Sequence, residues 1–231
     1  MKIAGMVGGI APGSTVEYYR EFIALCRERM PDGSYPPVII NSIDLKKMLD
    51  LIGANQLAEV TEYLTGEVAR LARAGAEVGL LASNTPHIVF DGIQKRSPIP
   101  LISLVEVTCA EAKAQGLKRL GLFGTRFTMQ GRFFPDVFAR EGIKLVLPSS
   151  EEQLFIHDKY MNELVPGIFR DQTRQGLVAI VDRMKRQEGI EAVILAGTEL
   201  PLILRDGTAS GVPLLDTTKI HVRALVAHVM A

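Results

Sequence analysis

The chain has 231 residues, 47% of them hydrophobic and 23% charged, enough for one large domain or two smaller ones with real cores. Lys+Arg and Asp+Glu each total 26, so no net field recommends a nucleic acid or an anionic membrane as partner. Two cysteines, Cys26 and Cys109, exclude a disulfide framework and read as small buried hydrophobes; with no membrane-length apolar run and no cleavage pattern after Met1, a cytoplasmic protein is expected.

In chain order, the first predicted strand covers 2–7 and ends in Gly8-Gly9-Ile10-Ala11-Pro12-Gly13-Ser14-Thr15, before a helix near 15–29. A dinucleotide fingerprint wants Gly where Ile10 stands, and a P-loop wants Lys where Ser14 stands, so a nucleotide loop is rejected. Ser14 and Glu17 have capping-box spacing, which predicts a helix start there. Its free N–H groups would suit a carboxylate, although a plain strand-to-helix turn needs the same small residues. A strand at 37–41 precedes a helix over 54–74. The next strand, 77–82, opens into Ser83-Asn84-Thr85-Pro86-His87, followed by a helix near 86–95, a strand at 100–103 and a helix over 104–115. Further strands fall at 119–123, 144–147, 191–196 and 213–215, with helices near 129–141, 171–187 and 217–229. The strand at 191–196 opens into Gly197-Thr198-Glu199-Leu200-Pro201. Strands alternating with helices argue for parallel sheets covered on both faces.

The order repeats. Lys2–Gly9 resembles Arg119–Thr125, the stretch 76–87 resembles 191–201, and Ile99–Ser103 resembles Val212–Asp216, each pair about 115 residues apart. The expected fold is therefore α/β with two pseudo-symmetric lobes, each a mainly parallel sheet flanked by helices. The expected division is 1–115 plus 216–231 for the first lobe and 116–215 for the second, with the active-site cleft between them. No His/Cys/Asp/Glu spacing suggests a metal site.

Taken together, Gly8-Gly9-x-x-Pro12 with Thr15, Asn84-Thr85-x-His87, Gly124-Thr125-x-x-Thr128, Tyr160-x-x-Glu163-Leu164 and Thr198-Glu199-Leu200-Pro201 resemble the cofactor-independent aspartate/glutamate racemase family over nearly the whole chain. The resemblance implies proton transfer at Cα of an amino acid or other small carboxylate without pyridoxal phosphate or any other cofactor. It also implies a homodimer and a return of the last helix to the first lobe. In the family pattern the two loops read Cys-Asn-Thr and Gly-Cys-Thr-Glu, and two thiols work on opposite faces of the substrate. Here those positions are Ser83 and Gly197. An alcohol is a far weaker acid than a thiol and needs a neighbouring base, and glycine offers no side chain, so the two-thiol route is unavailable as written.

The candidate catalytic residues are accordingly Ser83, Gly197, Glu199 and His87. Ser83 reads as a hydrogen-bond donor or an activated hydroxyl. Glu199 reads as a general base, a partner for a substrate amine, or a cap on loop amides. His87 is either an acid–base group or a structural hydrogen-bonder. The carboxylate cradle is expected from Ile10, Ser14, Asn84, Thr85, Thr125, Thr128 and Thr198, with Thr125 and Thr128 as counterparts of Ser14 and Thr15. Thr85 before Pro86 also fits an N-cap. Glycine at 197 suggests room for a bulkier group on that face. Two functions remain open: an isomerase-like enzyme at Cα, and a small-carboxylate binding protein without turnover. A diverged decarboxylase or lyase is a variant of the first.

Overall fold

In the computed structural model, which describes residues 1–30 and 32–231, the chain divides into two units: Met1–Leu104 with His221–Ala231, and Val105–Ile220. Both are α/β, with parallel strands flanked by helices.

In the first unit β1 (Ala4–Gly8) lies between β2 (Val38–Ser42) and β3 (Val78–Leu81), all parallel. Every residue of β1 and β3 is buried, as expected of strands covered on both faces. The helices α1 (Pro12–Arg29), α2 (Leu45–Gly53) and α3 (Leu57–Arg73) connect them. α3 buries Val60, Leu64, Val68 and Leu71, a helical stripe read directly from the chain. Gly5 admits the close packing of this layer: a Cβ there would lie 2.9 Å from Ala76 Cβ and 3.3 Å from the Leu71 side chain.

Several boundaries differ from the sequence pattern for local reasons. The helix expected over 54–74 is α3 alone, and a separate helix, α2, precedes it. Asp44 caps α2 by accepting from the amides of Lys46 (2.9 Å) and Lys47 (3.3 Å), and Asn55 then turns the chain with a left-handed φ of 56°. The helix expected at 86–95 opens as a 3-10 turn, Thr85–Val89, before α4 (Phe90–Arg96). Instead of a strand at 100–103 there is one parallel bridge, Gly79 with Leu101, because Pro98 and Pro100 remove two amide donors.

The second unit begins in α5 (Leu104–Ala114) and continues through β4 (Arg119–Gly124), α6 (Arg126–Gln130), α7 (Phe133–Arg140), β5 (Lys144–Val146) and α8 (Ser150–Lys159). A π-helical turn, Tyr160–Leu164, leads to α9 (Asp171–Glu188), β6 (Ala192–Ala196), α10 (Leu200–Ile203), β7 (Thr208–Ala209) and β8 (Val212–Asp216). The sheet order is β5-β4-β6-β8-β7, parallel except for β7. Its core packs Phe123, Val193 and Leu195 of the sheet against Leu177, Val181 and Met184 of α9.

The helix expected over 129–141 breaks at Gly131 into α6 and α7. α2, α8, α10 and β7 are additional to the expected elements. α11 (Thr217–Met230) closes the chain; from His221 on it belongs to the first unit, where Lys2 donates its amide to the Val229 carbonyl at 2.9 Å. Cys26 and Cys109 are both buried and unbridged. Among the described residues, no helix is long and apolar enough to cross a membrane.

Candidate active site

Parallel strands end together, so each sheet gathers its strand-end loops along one carboxyl edge, where α/β folds place ligands.

In the first unit that edge carries Gly8-Gly9 after β1 and Ser83-Asn84-Thr85 after β3. The glycine pair has a mechanical reason. A Cβ on Gly8 would strike the Thr15 side chain at 2.5 Å, and Gly9 has φ +84° with no space beside the Ile43 backbone. The Thr15 hydroxyl accepts the Gly9 amide at 2.7 Å, which pins the loop onto α1. The capping box expected at Ser14 and Glu17 is absent. α1 begins at Pro12, whose fixed φ suits a first helical position, and its N-cap Ala11 makes no side-chain bond. Ser14 therefore sits inside the first turn, 2% exposed, and Glu17 pairs with Arg20 on the surface at 2.8 Å. Ile10 is also buried. Thr85 is likewise not an N-cap; that place belongs to Asn84, and no side-chain cap is made.

Ser83 is half-buried, and among the described residues no base is hydrogen-bonded to its hydroxyl. His87 does not serve it. The amide of Leu104 donates to His87 Nε2 at 3.0 Å, so the ring proton resides on Nδ1, which lies near the Ser83 and Asn84 carbonyls without closing a bond. Burial, with His221 adding to it, lowers His87 to about 3, and the ring stacks on Phe90 at 4.9 Å. His87 thus fastens the strand-end loop to the start of α5. His221, given no role by the sequence, stands beside it: it faces the Ile102 carbonyl through Nε2 at 2.8 Å and takes the Tyr18 hydroxyl on Nδ1 at 3.0 Å. Burial lowers it to about 4.

In the second unit the edge carries Gly124-Thr125 after β4, Gly197-Thr198-Glu199 after β6 and Asp216-Thr217 after β8. Thr125 caps α6, accepting from the Thr128 amide at 3.3 Å, and its hydroxyl meets that of Thr128 at 3.2 Å. A Cβ on Gly124 would lie 3.1 Å from Thr128 Cβ, the same arrangement that Gly8 makes with Thr15. The structural counterpart of Thr128 is therefore Thr15. Thr128 is fully buried, whereas Thr125 is partly exposed.

Glu199 is buried and accepts from the Thr198 hydroxyl at 2.8 Å and from the Tyr160 hydroxyl. Burial, then the neighbouring carboxylate, pushes the Tyr160 phenol well above its ordinary range, so it remains the donor. The room expected at Gly197 is absent: Tyr160 fills it. In the sequence Tyr160 is only one residue of a motif, because nothing local shows that the π turn places its ring beside residue 197. Glu163, from the same motif, braces that turn, accepting from Lys159 Nζ at 2.8 Å and from the Thr173 hydroxyl, which together hold it below the usual carboxylate range. Asp216 accepts the amides of Thr218 (2.9 Å) and Lys219 (3.2 Å), while burial raises it.

Comparison with known proteins follows the same lines. The Asp/Glu/Hydantoin racemase model matches residues 7–225. The chain is 22% identical to the broad specificity amino-acid racemase RacX of Bacillus subtilis, over 98% of both chains. Among solved structures it is similar to an aspartate racemase homologue from Pyrococcus horikoshii, with 32% identity and a TM-score of 0.89 over the full length of both chains. A candidate Asp/Glu racemase from Yersinia pestis gives 28% identity and a TM-score of 0.92, also over the full length of both. Glutamate racemase from Francisella tularensis, solved with D-glutamate, shares the fold at 14% identity and a TM-score of 0.72, over 99% of this chain and 81% of that one. The chain belongs to the Asp/Glu/hydantoin racemase family.

Proposed function

We propose that the protein is an isomerase-class enzyme that moves a proton at Cα of a small amino acid or related carboxylate without pyridoxal phosphate. The observation that carries this reading is the buried polar set at the end of β6: Glu199 holds the hydroxyls of both Thr198 and Tyr160 at a strand terminus. Burying a carboxylate and its donors is unfavourable unless they are mutually satisfied, so such a set argues for a task at that place. The amino-acid class is supported by the likeness to RacX and to the aspartate racemase homologue.

In this reading each strand edge offers its own carboxylate-binding groups: Asn84, Thr85 and main-chain N–H groups near Ile10 and Ser14 in the first unit, and Thr125 and the main-chain N–H groups around Thr198 in the second. Thr128 positions Thr125. Ser83 serves as a hydrogen-bond donor, because among the described residues no base is hydrogen-bonded to it. Glu199 receives the Cα proton or orients the substrate amine, and His87 holds the Ser83 loop. The same lack of a base at Ser83 favours a second reading, a small-carboxylate binding protein without turnover.

Proton NMR in heavy water, with each enantiomer of aspartate and glutamate, separates the two. The expected result is slow loss of the Cα–H signal from at least one of the four. Persistent Cα–H with line broadening means binding without turnover, and no change in signal or linewidth overturns both readings.

A further inference from the structure

Gly197 has none of the left-handed φ angles that many of the chain's glycines adopt, so its backbone would accept any L-residue. Space, not conformation, explains the glycine. A Cβ built at 197 would lie 2.5 Å from Tyr160 Cε2, 2.8 Å from its hydroxyl oxygen and 2.9 Å from Cζ. A phenol at the surface would swing aside. This one is 6% exposed, belongs to the apolar cluster that includes Leu164 and Leu200, and gives its hydroxyl to Glu199. Glu199 in turn takes Thr198, so the ring is held at its tip as well as along its edge.

We infer that Tyr160 is a specificity-determining residue: its phenol occupies the space a side chain at 197 would take, and so bounds the ligand site on that side. The inference rests on the reading that the Thr198-Glu199 loop meets a small carboxylate. It follows that removing the side chain at 197 does not enlarge the site. A ligand must present no more than a hydrogen toward this wall, so substrates with a bare Cα–H fit and their Cα-methylated counterparts do not.

Two substitutions separate the contact from the fold. Tyr160→Leu removes Cε2, Cζ and the hydroxyl, the three atoms that crowd residue 197, and leaves an apolar side chain in the cluster. Tyr160→Phe keeps the ring and removes only the hydroxyl. Binding is read by NMR line broadening and thermal shift with aspartate, glutamate and their α-methyl derivatives. Wild type and Tyr160→Phe should disfavour the methylated compounds by about tenfold or more, and Tyr160→Leu should bring the two classes within about threefold. Equal binding of both classes to wild type overturns the inference, as does unchanged discrimination by Tyr160→Leu.

A second measurement needs no ligand. Gly197→Ala should lower the melting temperature by about 5 °C in wild type, and by only about 1 °C in the Tyr160→Leu background. Equal drops in the two backgrounds overturn the claim that Tyr160 fills this space. If no probe binds to any variant, the functional reading falls, while the coupled or uncoupled melting pair still decides what occupies the space beside residue 197.

Discussion

At the scale of single residues, two glycines and two threonines show how a strand end is built. Gly8 and Gly124 each receive the side chain of a threonine in the following helix, Thr15 and Thr128, and Thr15 also takes the Gly9 amide. Thr15→Val keeps the shape and removes the acceptor, leaving a buried N–H unpaired. It should destabilise the protein by about 1–3 kcal/mol in urea unfolding, with Thr15→Ser recovering much of that. The Gly197 contact has a consequence for engineering. Restoring thiols by Ser83→Cys and Gly197→Cys places a cysteine Cβ against the Tyr160 ring, so the double variant should melt below wild type and racemise neither aspartate nor glutamate, as followed by chiral chromatography. The triple variant with Tyr160→Leu is the one in which racemisation should first appear. Racemisation by the double variant would show that the ring yields.

At the scale of elements, the differences from the sequence pattern have local causes. A capping box has a short signature that many unrelated tetrapeptides match. Ser14-x-x-Glu17 matches it, but Pro12 starts the helix earlier and leaves Ser14 in the wrong place. Ser149-x-x-Glu152 is a real capping box: the Ser149 hydroxyl accepts the Glu152 amide at 3.3 Å, and Glu152 takes the Ser149 amide at 2.8 Å. The helix it begins leaves little trace in the sequence pattern, because α8 buries only Ile156 and so shows no apolar stripe. Glu152 also receives Arg183 of α9 at 2.5 Å on each carboxylate oxygen, which ties the two helices together. Ser149→Ala should therefore cost about 1 kcal/mol, read as an earlier denaturation midpoint with an unchanged slope.

At the scale of the molecule, the two buried histidines make stability depend on pH, and both belong to the first unit. His87 and His221 are lowered to about 3 and about 4, against about 6.5 for the unfolded chain. Between those values the unfolded chain binds protons that the folded chain refuses, so the stabilising contribution is complete above about pH 6.5 and fades as pH falls, down to about 4 for His221 and about 3 for His87. The expected slope is on the order of 1 kcal/mol per pH unit for each histidine. Amide hydrogen exchange at pH 5 should show the first unit opening before the second, and His221→Gln should flatten the dependence. Equal acid sensitivity of both units would count against these histidines as its source.

Alternation of strands and helices, the repeated order of the strand-end motifs and the family pattern are all local in the chain, so the α/β class and the strand-end loops at 83–87 and 197–201 could be read from the chain alone. A strand end can be recognised from five or six neighbours, because burial on both faces writes itself into composition. What surrounds a strand end cannot be read that way, because it comes from residues far along the chain. His221 reaches Tyr18 across 203 positions, and Tyr160 reaches Glu199 across 39. Likewise the Leu104 amide, 17 positions on, makes His87 the pin of a loop, and Tyr160 makes Gly197 a space filled by a phenol. Whether a missing side chain leaves room depends on which distant residue packs there, and only three-dimensional packing brings those two residues together.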